Sequence, residues 1–274
     1  LAHKVRTKFE KVPWGTKSSR RCPGVQGENK VREGALGYKT TYLLVKNRVG
    51  LSRFMLVPKQ KPKAIITDVD STLTERTTWY ELTERLGGSS YAHADLFAKF
   101  LRGEISFHQV KKDLFKIWNA NGPVHRDKLI EIFENIPLRG EAFSLINQLQ
   151  EDGYTLCLIS GSIDMFVTQI AKKFKINHHY GNSIFHFDED GYWVELDYSQ
   201  DEELLKMEQF NDFLEKTGFK EDECIAIGDG DNDRKMFGRV PGIIVNPKSD
   251  HLKELAWQEV KFLPRVLQLL ESIQ

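Results

Sequence analysis

The stretch Ala64-Ile65-Ile66-Thr67-Asp68-Val69-Asp70-Ser71-Thr72 decides how the chain folds. An apolar run of strand length ends abruptly in two carboxylates two residues apart. For both to serve one crevice, the backbone must leave extended geometry just beyond Thr67. Like charges this close repel unless a cation or a shared proton offsets them. The pattern recurs where Cys224-Ile225-Ala226-Ile227 runs into Gly228-Asp229-Gly230-Asp231-Asn232-Asp233. Two acidic clusters at strand ends point to a divalent cation and to chemistry on an anionic group.

Working outward, apolar runs at 63–68, 154–160, 223–228 and 242–246 read as strands. Helical periodicity is found near 77–87, 90–102, 106–118, 126–135, 140–152, 162–174, 201–217 and 249–256, with Ser162 as the N-cap of its helix. Strands alternating with helices of this length predict an α/β fold with a doubly wound, mainly parallel sheet. Such sheets bind ligands beyond the carboxyl ends of their strands. Both acidic clusters fall at that edge, as does Ser160-Gly161-Ser162. About 85 residues separate the first two strands, far more than one crossover helix needs. Their middle, 77–136, reads as a helical insertion beside the catalytic edge. Between 180 and 198, alternating runs around Asp188-Glu189-Asp190-Gly191 predict a hairpin, and a second hairpin is expected between 38 and 57.

Composition narrows the class further. Of 274 residues, 40% are hydrophobic and 28% charged, as in an ordinary globular protein. No apolar run approaches the ~18–20 residues that span a bilayer. Cys22, Cys157 and Cys224 lack metal-ligand spacing, and the last two sit inside apolar runs as small hydrophobes. A reducing, cytoplasmic setting is the expectation. The zero net charge conceals an asymmetry: residues 1–63 carry 16 Lys and Arg against three acidic residues, leaving 23 basic and 36 acidic residues in the remainder.

The chemistry follows from the clusters. An aspartate at a strand end can attack phosphorus, and water then cleaves the aspartyl-phosphate. Asp68 suits the nucleophile. Asp70 suits the acid that protonates the leaving group and later the base that activates water. Asp229 with Asp68 suits a hard-cation site, best fitted by Mg²⁺. The Ser160 hydroxyl and the Gly161 N–H suit phosphate oxygens, with a helix N-terminus behind them. A lysine before the third strand should complete the clamp.

Asp68-Val69-Asp70-Ser71-Thr72, Ile159-Ser160-Gly161-Ser162 and Gly228-Asp229-Gly230-Asp231-Asn232-Asp233 resemble the ordered motifs of the haloacid dehalogenase superfamily of phosphohydrolases. The nearest resemblance is to its phosphoserine-phosphatase-like branch, whose helical cap is inserted between motifs one and two. It implies a Rossmann-like core (63–76 and 137–274) with a cap at about 77–136. It also implies Lys206 as the clamp lysine, 23 residues before Asp229. The metal would be held by the side chains of Asp68 and Asp229 and the backbone carbonyl of Asp70, with Thr72, Asn232 and Asp233 in support. The implied activity is Mg²⁺-dependent hydrolysis of a small phosphorylated metabolite; a phosphotransferase would use the same residues.

The cap stretch Gly103-Glu104-Ile105-Ser106-Phe107-His108-Gln109 resembles that of phosphoserine phosphatases, but the family's charged substrate readers are missing. Thr77 stands where a glutamate meets the substrate ammonium, and Leu114 where an arginine meets its carboxylate. Glu75, Arg76, Lys111 and Lys112 are shifted substitutes. Trp79, Tyr80 and Phe107 would instead suit an aromatic wall, or simply the core of the cap.

The basic extension, residues 1–62, reads as a poorly ordered tail. Two other readings stand beside it. A start near Met55 would leave residues 1–54 outside the enzyme, and a Lys/Arg-rich arm would bind nucleic acid in a salt-sensitive way, the chain then being an accessory protein.

Overall fold

The computed structural model describes residues 42–46, 52–247 and 250–273. The basic segment read as tail or nucleic-acid arm therefore lies largely outside the described residues. Strand β1 (Tyr42–Lys46) pairs antiparallel with β2 (Ser52–Leu56), Tyr42 opposite Leu56.

Strand β3 (Ala64–Thr67) is buried along its whole length. Four helices separate it from the next strand: α1 (Thr78–Arg85), α2 (Ser90–Leu101), α3 (Phe107–Trp118) and α4 (Arg126–Glu134). Three of them start on side-chain caps. Ser89 accepts from the Ala92 N–H, Ser106 from the Gln109 N–H, and His125 Nδ1 from the Asp127 N–H, each at 3.2 Å. Helix α5 (Ala142–Glu151), β4 (Thr155–Ile159), α6 (Asp164–Phe174) and β5 (His178–Tyr180) resume the strand–helix alternation. The hairpin expected between 180 and 198 is β6 (Ile184–Phe187) with β7 (Trp193–Asp197). Helix α7 (Glu202–Thr217), β8 (Cys224–Gly228), the short α8 (Arg234–Phe237), β9 (Gly242–Val245), α9 (Asp250–Leu255), β10 (Gln258–Val260) and α10 (Pro264–Glu271) complete the chain.

The main sheet has six parallel strands in the order β10-β9-β8-β3-β4-β5. Strand β3 lies inside it, with β8 and β4 on either side. Side chains alternate across it with the period of two that a strand imposes. Ala64 and Ile66 join Phe210 and Phe213 of α7 in one core layer, while Ile65 packs into the other with Phe166, Leu269 and the buried residues of α1–α4. Two short edge strands, β5 and β10, were not anticipated. At three residues each they carry too little periodicity to stand out. The Ser162 cap is corrected: α6 opens at Asp164 behind Ile163 without a side-chain cap, and the Ser162 hydroxyl is buried with no hydrogen-bond partner.

Among α1–α4, His93 is buried edge-on to Trp79, Tyr80 and Trp118, its Nδ1 2.8 Å from Thr83 Oγ1. Burial pulls its pKa down to about 4. The folded imidazole is neutral at pH 7, whereas in the unfolded chain it gains a proton near ~6.5. His93 therefore leaves stability intact above pH ~6.5 and subtracts from it as the pH falls toward 4, by at most about 3 kcal/mol. Urea unfolding across this range should show a decline in the wild type that is flattened in His93→Gln.

Candidate active site

The crevice at the carboxyl ends of β3, β4 and β8 is built on one sharp departure from extended backbone. After Asp68 and Val69 the chain turns so tightly that the N–H groups of Thr72, Leu73 and Thr74 all lie within 3.3 Å of the Val69 carbonyl. Ser71 takes a left-handed conformation with φ 64°, costly for a residue with a Cβ. Arg139 holds it there: its guanidinium donates to the carbonyls of Ser71 (2.8 Å) and Thr74 (3.1 Å). The Ser71 N–H is taken by Thr74 Oγ1 at 2.9 Å. The turn sends Asp68 and Asp70 to different partners.

Asp68 is buried and faces Lys206, whose Nζ lies 3.0 Å from its Oδ1 and 2.7 Å from Asp233 Oδ1. Lys206 is 1% exposed, so this ammonium exchanges its water for two carboxylates. Burial pulls its pKa down, but the fields of Asp233 and Asp68 outweigh that and raise it overall. Asp233 is pushed up to about 7, chiefly by burial. Carboxylate oxygens of Asp68, Asp229 and Asp233 lie within 4.8 Å of one another. Lys206 is the cation bonded to Asp68 and Asp233, and the hard oxygens of the three clustered carboxylates fit a small divalent cation. The group differs slightly from the sequence reading, since Asp233 stands among the clustered carboxylates. The Asp70 side chain turns away, which leaves its carbonyl as the only group it could offer a metal. Gly228 makes the cluster sterically admissible, because a Cβ there would collide with the Asp233 carboxylate.

Asp70 is held by the start of α1. Thr77 Oγ1 donates to its Oδ2 at 2.9 Å, and the Thr78 N–H (3.0 Å) and hydroxyl both donate to Oδ1. Burial pushes its pKa up to about 6, with Asp68 adding to the rise while the threonine hydrogen bonds pull against it. A carboxyl that titrates near neutrality can both give and take a proton. Thr77, placed from sequence at a substrate-reading position, thus positions Asp70. Thr78, 0% exposed, does so from two atoms, and the sequence reading missed it.

Ser160 is buried and its Oγ accepts from the Ser162 N–H at 3.2 Å. Gly161 lines the crevice with Asp68, Asp70, Asp229 and Asn232. A Cβ on Gly161 would come within 2.5 Å of Glu202 Oε2. Asn232 donates to that same oxygen at 2.7 Å, so it is tied to Glu202. The Thr72 hydroxyl is buried without a partner. Glu202 also went unnoticed in the sequence. The signal was available, since it precedes Lys206 by four residues on a helix and so shares its face.

Beside the crevice lies a second cavity of about 190 Å³, walled by α1–α3, the end of β7 and Tyr198. Thr77, Trp79 and Glu202 line both spaces. Trp79 stacks on Trp118 at 5.8 Å and meets Tyr198 edge-on, and Phe107 stacks on Tyr198 at 5.0 Å. Of the shifted substitutes, Arg76 is spent on Glu81 and Glu84 outside the cavity, and Lys111 lines it but is bound to Glu195 (2.6 Å) and the Leu196 carbonyl. Glu75 and Lys112 are not among the lining residues.

Residues 62–240 match the haloacid dehalogenase-like hydrolase family. The chain belongs to that family. Among curated proteins it is 27% identical over 204 residues to the phosphoserine phosphatase of Archaeoglobus fulgidus, covering 72% of this chain and 56% of that protein. It is 26% identical over 183 residues to the phosphoserine phosphatase of Methanocaldococcus jannaschii, covering 65% and 82%. The fold matches a HAD family hydrolase of Salmonella enterica serovar Typhi with TM-score 0.66 at 17% identity, covering 82% and 77%. A substrate-bound phosphoserine phosphatase matches with TM-score 0.61 at 22% identity, covering 77% and 99%. No helix among the described residues is long and apolar enough to cross a membrane.

Lys206→Met should lower stability by about 3–5 kcal/mol at pH 7, because two buried carboxylates lose their counter-charge. Burial already raises Asp233 to about 7, and losing the ammonium raises it further, so the deficit should be largest at neutral pH and shrink on acidification as Asp233 protonates. Urea unfolding at pH 5 and pH 7 reads this directly.

Proposed function

We propose that this hydrolase is a divalent-cation-dependent phosphomonoesterase working through a covalent phospho-Asp68. The observation that carries the reading is the placement of Asp68 against Lys206, Asp229 and Asp233 in a crevice where Asp70, with a pKa near 6, is held apart on its own threonine clamp.

Lys206 fixes the Asp68 side chain and places a positive charge beside the position of attack. The Asp68 carboxylate forms the bond to phosphorus while the bond to the leaving alcohol oxygen breaks. Protonated Asp70 gives that oxygen its proton. Asp70, now ionised and steadied by Thr77 and Thr78, then takes a proton from the water that cleaves the acyl phosphate. The Ser160 hydroxyl and the Gly161 N–H are the donors for the phosphoryl oxygens. Mg²⁺ held by Asp68, Asp229 and the Asp70 carbonyl, with Asp233 close by, would offset charge on the transferring group.

Hydrolysis of 4-nitrophenyl phosphate should be Mg²⁺-dependent and abolished by EDTA, and Asp68→Asn should reduce it at least ~1,000-fold. Activity that survives either treatment overturns the reading. Asp70→Asn should slow alkyl phosphates by roughly 100–10,000-fold and 4-nitrophenyl phosphate less, since nitrophenolate departs without a proton. Parallel initial rates on the two ester types check this.

A further inference from the structure

Resting on the phosphatase reading, the second cavity adjoins the crevice, with Thr77, Trp79 and Glu202 lining both, and it offers the leaving group a space beside the phosphoryl site. Its wall is aromatic, supplied by Trp79, Tyr80, Phe97, Phe107 and Tyr198. Its cation inventory is short. Among the described lining residues Lys111 is the sole Lys or Arg, and its ammonium is already engaged by Glu195 and the Leu196 carbonyl. His93 is buried and neutral, with its pKa pulled down to about 4. Leu114, buried at 3%, adds only hydrocarbon. The Lys111 charge is already offset by Glu195, so a carboxylate on the leaving group would find no uncompensated cation among the described lining residues to repay its desolvation.

An acid does stand at the junction. Glu202 Oε1 accepts from the Tyr198 hydroxyl at 2.5 Å and Oε2 from Asn232 at 2.7 Å. Each carboxylate oxygen has two lone pairs, so a lone pair on each remains for a further donor. That donor would sit between the phosphoryl crevice and the aromatic cavity, at the carbons next to the ester oxygen. An acidic side chain close to a phosphate dianion is repulsive unless a positive group lies between them, and a substrate ammonium supplies one.

We infer that the substrate is the phosphate monoester of an amino alcohol bearing an aromatic ring, with the amine on Glu202 and the ring among Trp79, Phe97, Phe107 and Tyr198. The frame is that of phosphoserine with a flat ring where the carboxylate would be.

Three primary alkyl esters, whose leaving alcohols are of one chemical kind, separate the two contributions: 2-amino-3-phenylpropyl phosphate, 3-phenylpropyl phosphate and O-phospho-L-serine. The expected kcat/KM for the first exceeds that for O-phospho-L-serine by about 10–100-fold, the range for burying one aromatic ring, and exceeds that for 3-phenylpropyl phosphate by about 10-fold or more. Phe97→Ser should shrink the first ratio, and Glu202→Gln should bring the second toward one. O-phospho-L-serine turned over equally well or better overturns the inference and leaves the phosphatase reading standing. Turnover of 4-nitrophenyl phosphate alone also overturns the inference and leaves that reading standing. If neither these esters nor 4-nitrophenyl phosphate is turned over, the phosphatase reading fails. Binding of the same three compounds to the Asp68→Asn protein, followed by tryptophan fluorescence, then decides the inference separately. Binding of 2-amino-3-phenylpropyl phosphate at least 10-fold tighter than O-phospho-L-serine upholds it, and equal or reversed affinities overturn it.

Discussion

A lysine with almost no exposure to water, bonded at once to Asp68 and Asp233, sets the terms for the rest of the molecule. A buried ammonium is tolerable only where opposite charges meet it at hydrogen-bond distance. Three separate elements must therefore converge. Helix α7 has to bring its first turns to the ends of β3 and β8, and it is anchored there by Met207, Phe210 and Phe213, which share a core layer with Ile66 and Ala226. The loop after β8 has to fold back so that Asp233 passes over Gly228, where a side chain would block it. Strand β3 has to end at Thr67, so that Asp68 leaves the ladder with its N–H on the Ile227 carbonyl and its carbonyl accepting from the Thr67 hydroxyl.

The same arrangement divides the two carboxylates that open the site. Asp68 lies in the charged cluster and Asp70 on the threonines at the start of α1. What separates them is the left-handed turn at Ser71, and that strain persists because Arg139 ties the turn from across the chain. Arg139 follows α4 in sequence and Thr77 precedes α1, so both ends of the helical insertion are bonded to the loop that carries Asp70. Any shift of the insertion relative to the sheet is therefore felt at Asp70.

Much of this was legible in the sequence because it depends on local pattern. Runs such as Ala64–Thr67 and Cys224–Ile227 are long enough to read as strands, and carboxylates placed at their ends have few other uses. A lysine before the third strand was expected from the chemistry, and the family resemblance singled out Lys206. What escaped was set by tertiary packing. β5 and β10 are too short to show a period, and their pairing is imposed by their neighbours in the sheet. Ser162 looked like a cap but lies one residue too early, behind Ile163. Thr78 looked like any helix-opening threonine; only the turn at Ser71 brings Asp70 to it. Glu202 looked like an ordinary acidic residue in a first helical turn, and its meeting with Gly161, Asn232 and Tyr198 is a property of the folded chain.

The aromatic cavity stands beside the charged cluster but is built on different physical terms. The groups that act on phosphorus are fixed by the charge balance around Lys206, and changing one of them disturbs the others. The walls of the second cavity come from α1–α3 and from the hairpin of β6 and β7, which rests on α3 through Trp193 against Trp118 and Phe115 and through the Lys111–Glu195 pair. These contacts are mainly apolar and mutually adjustable, so side chains there can change size and polarity at modest cost. Thr77 is the point of contact between the two regimes. Where a carboxylate would reach toward the substrate, a shorter hydroxyl reaches back to Asp70. With Thr77 bonded to Asp70, the carboxylate that lines both the crevice and the cavity is Glu202, at the start of α7. If the proposed substrate is correct, recognition of the leaving group and charge stabilisation at phosphorus share one rigid element, the start of α7, which carries both Glu202 and Lys206.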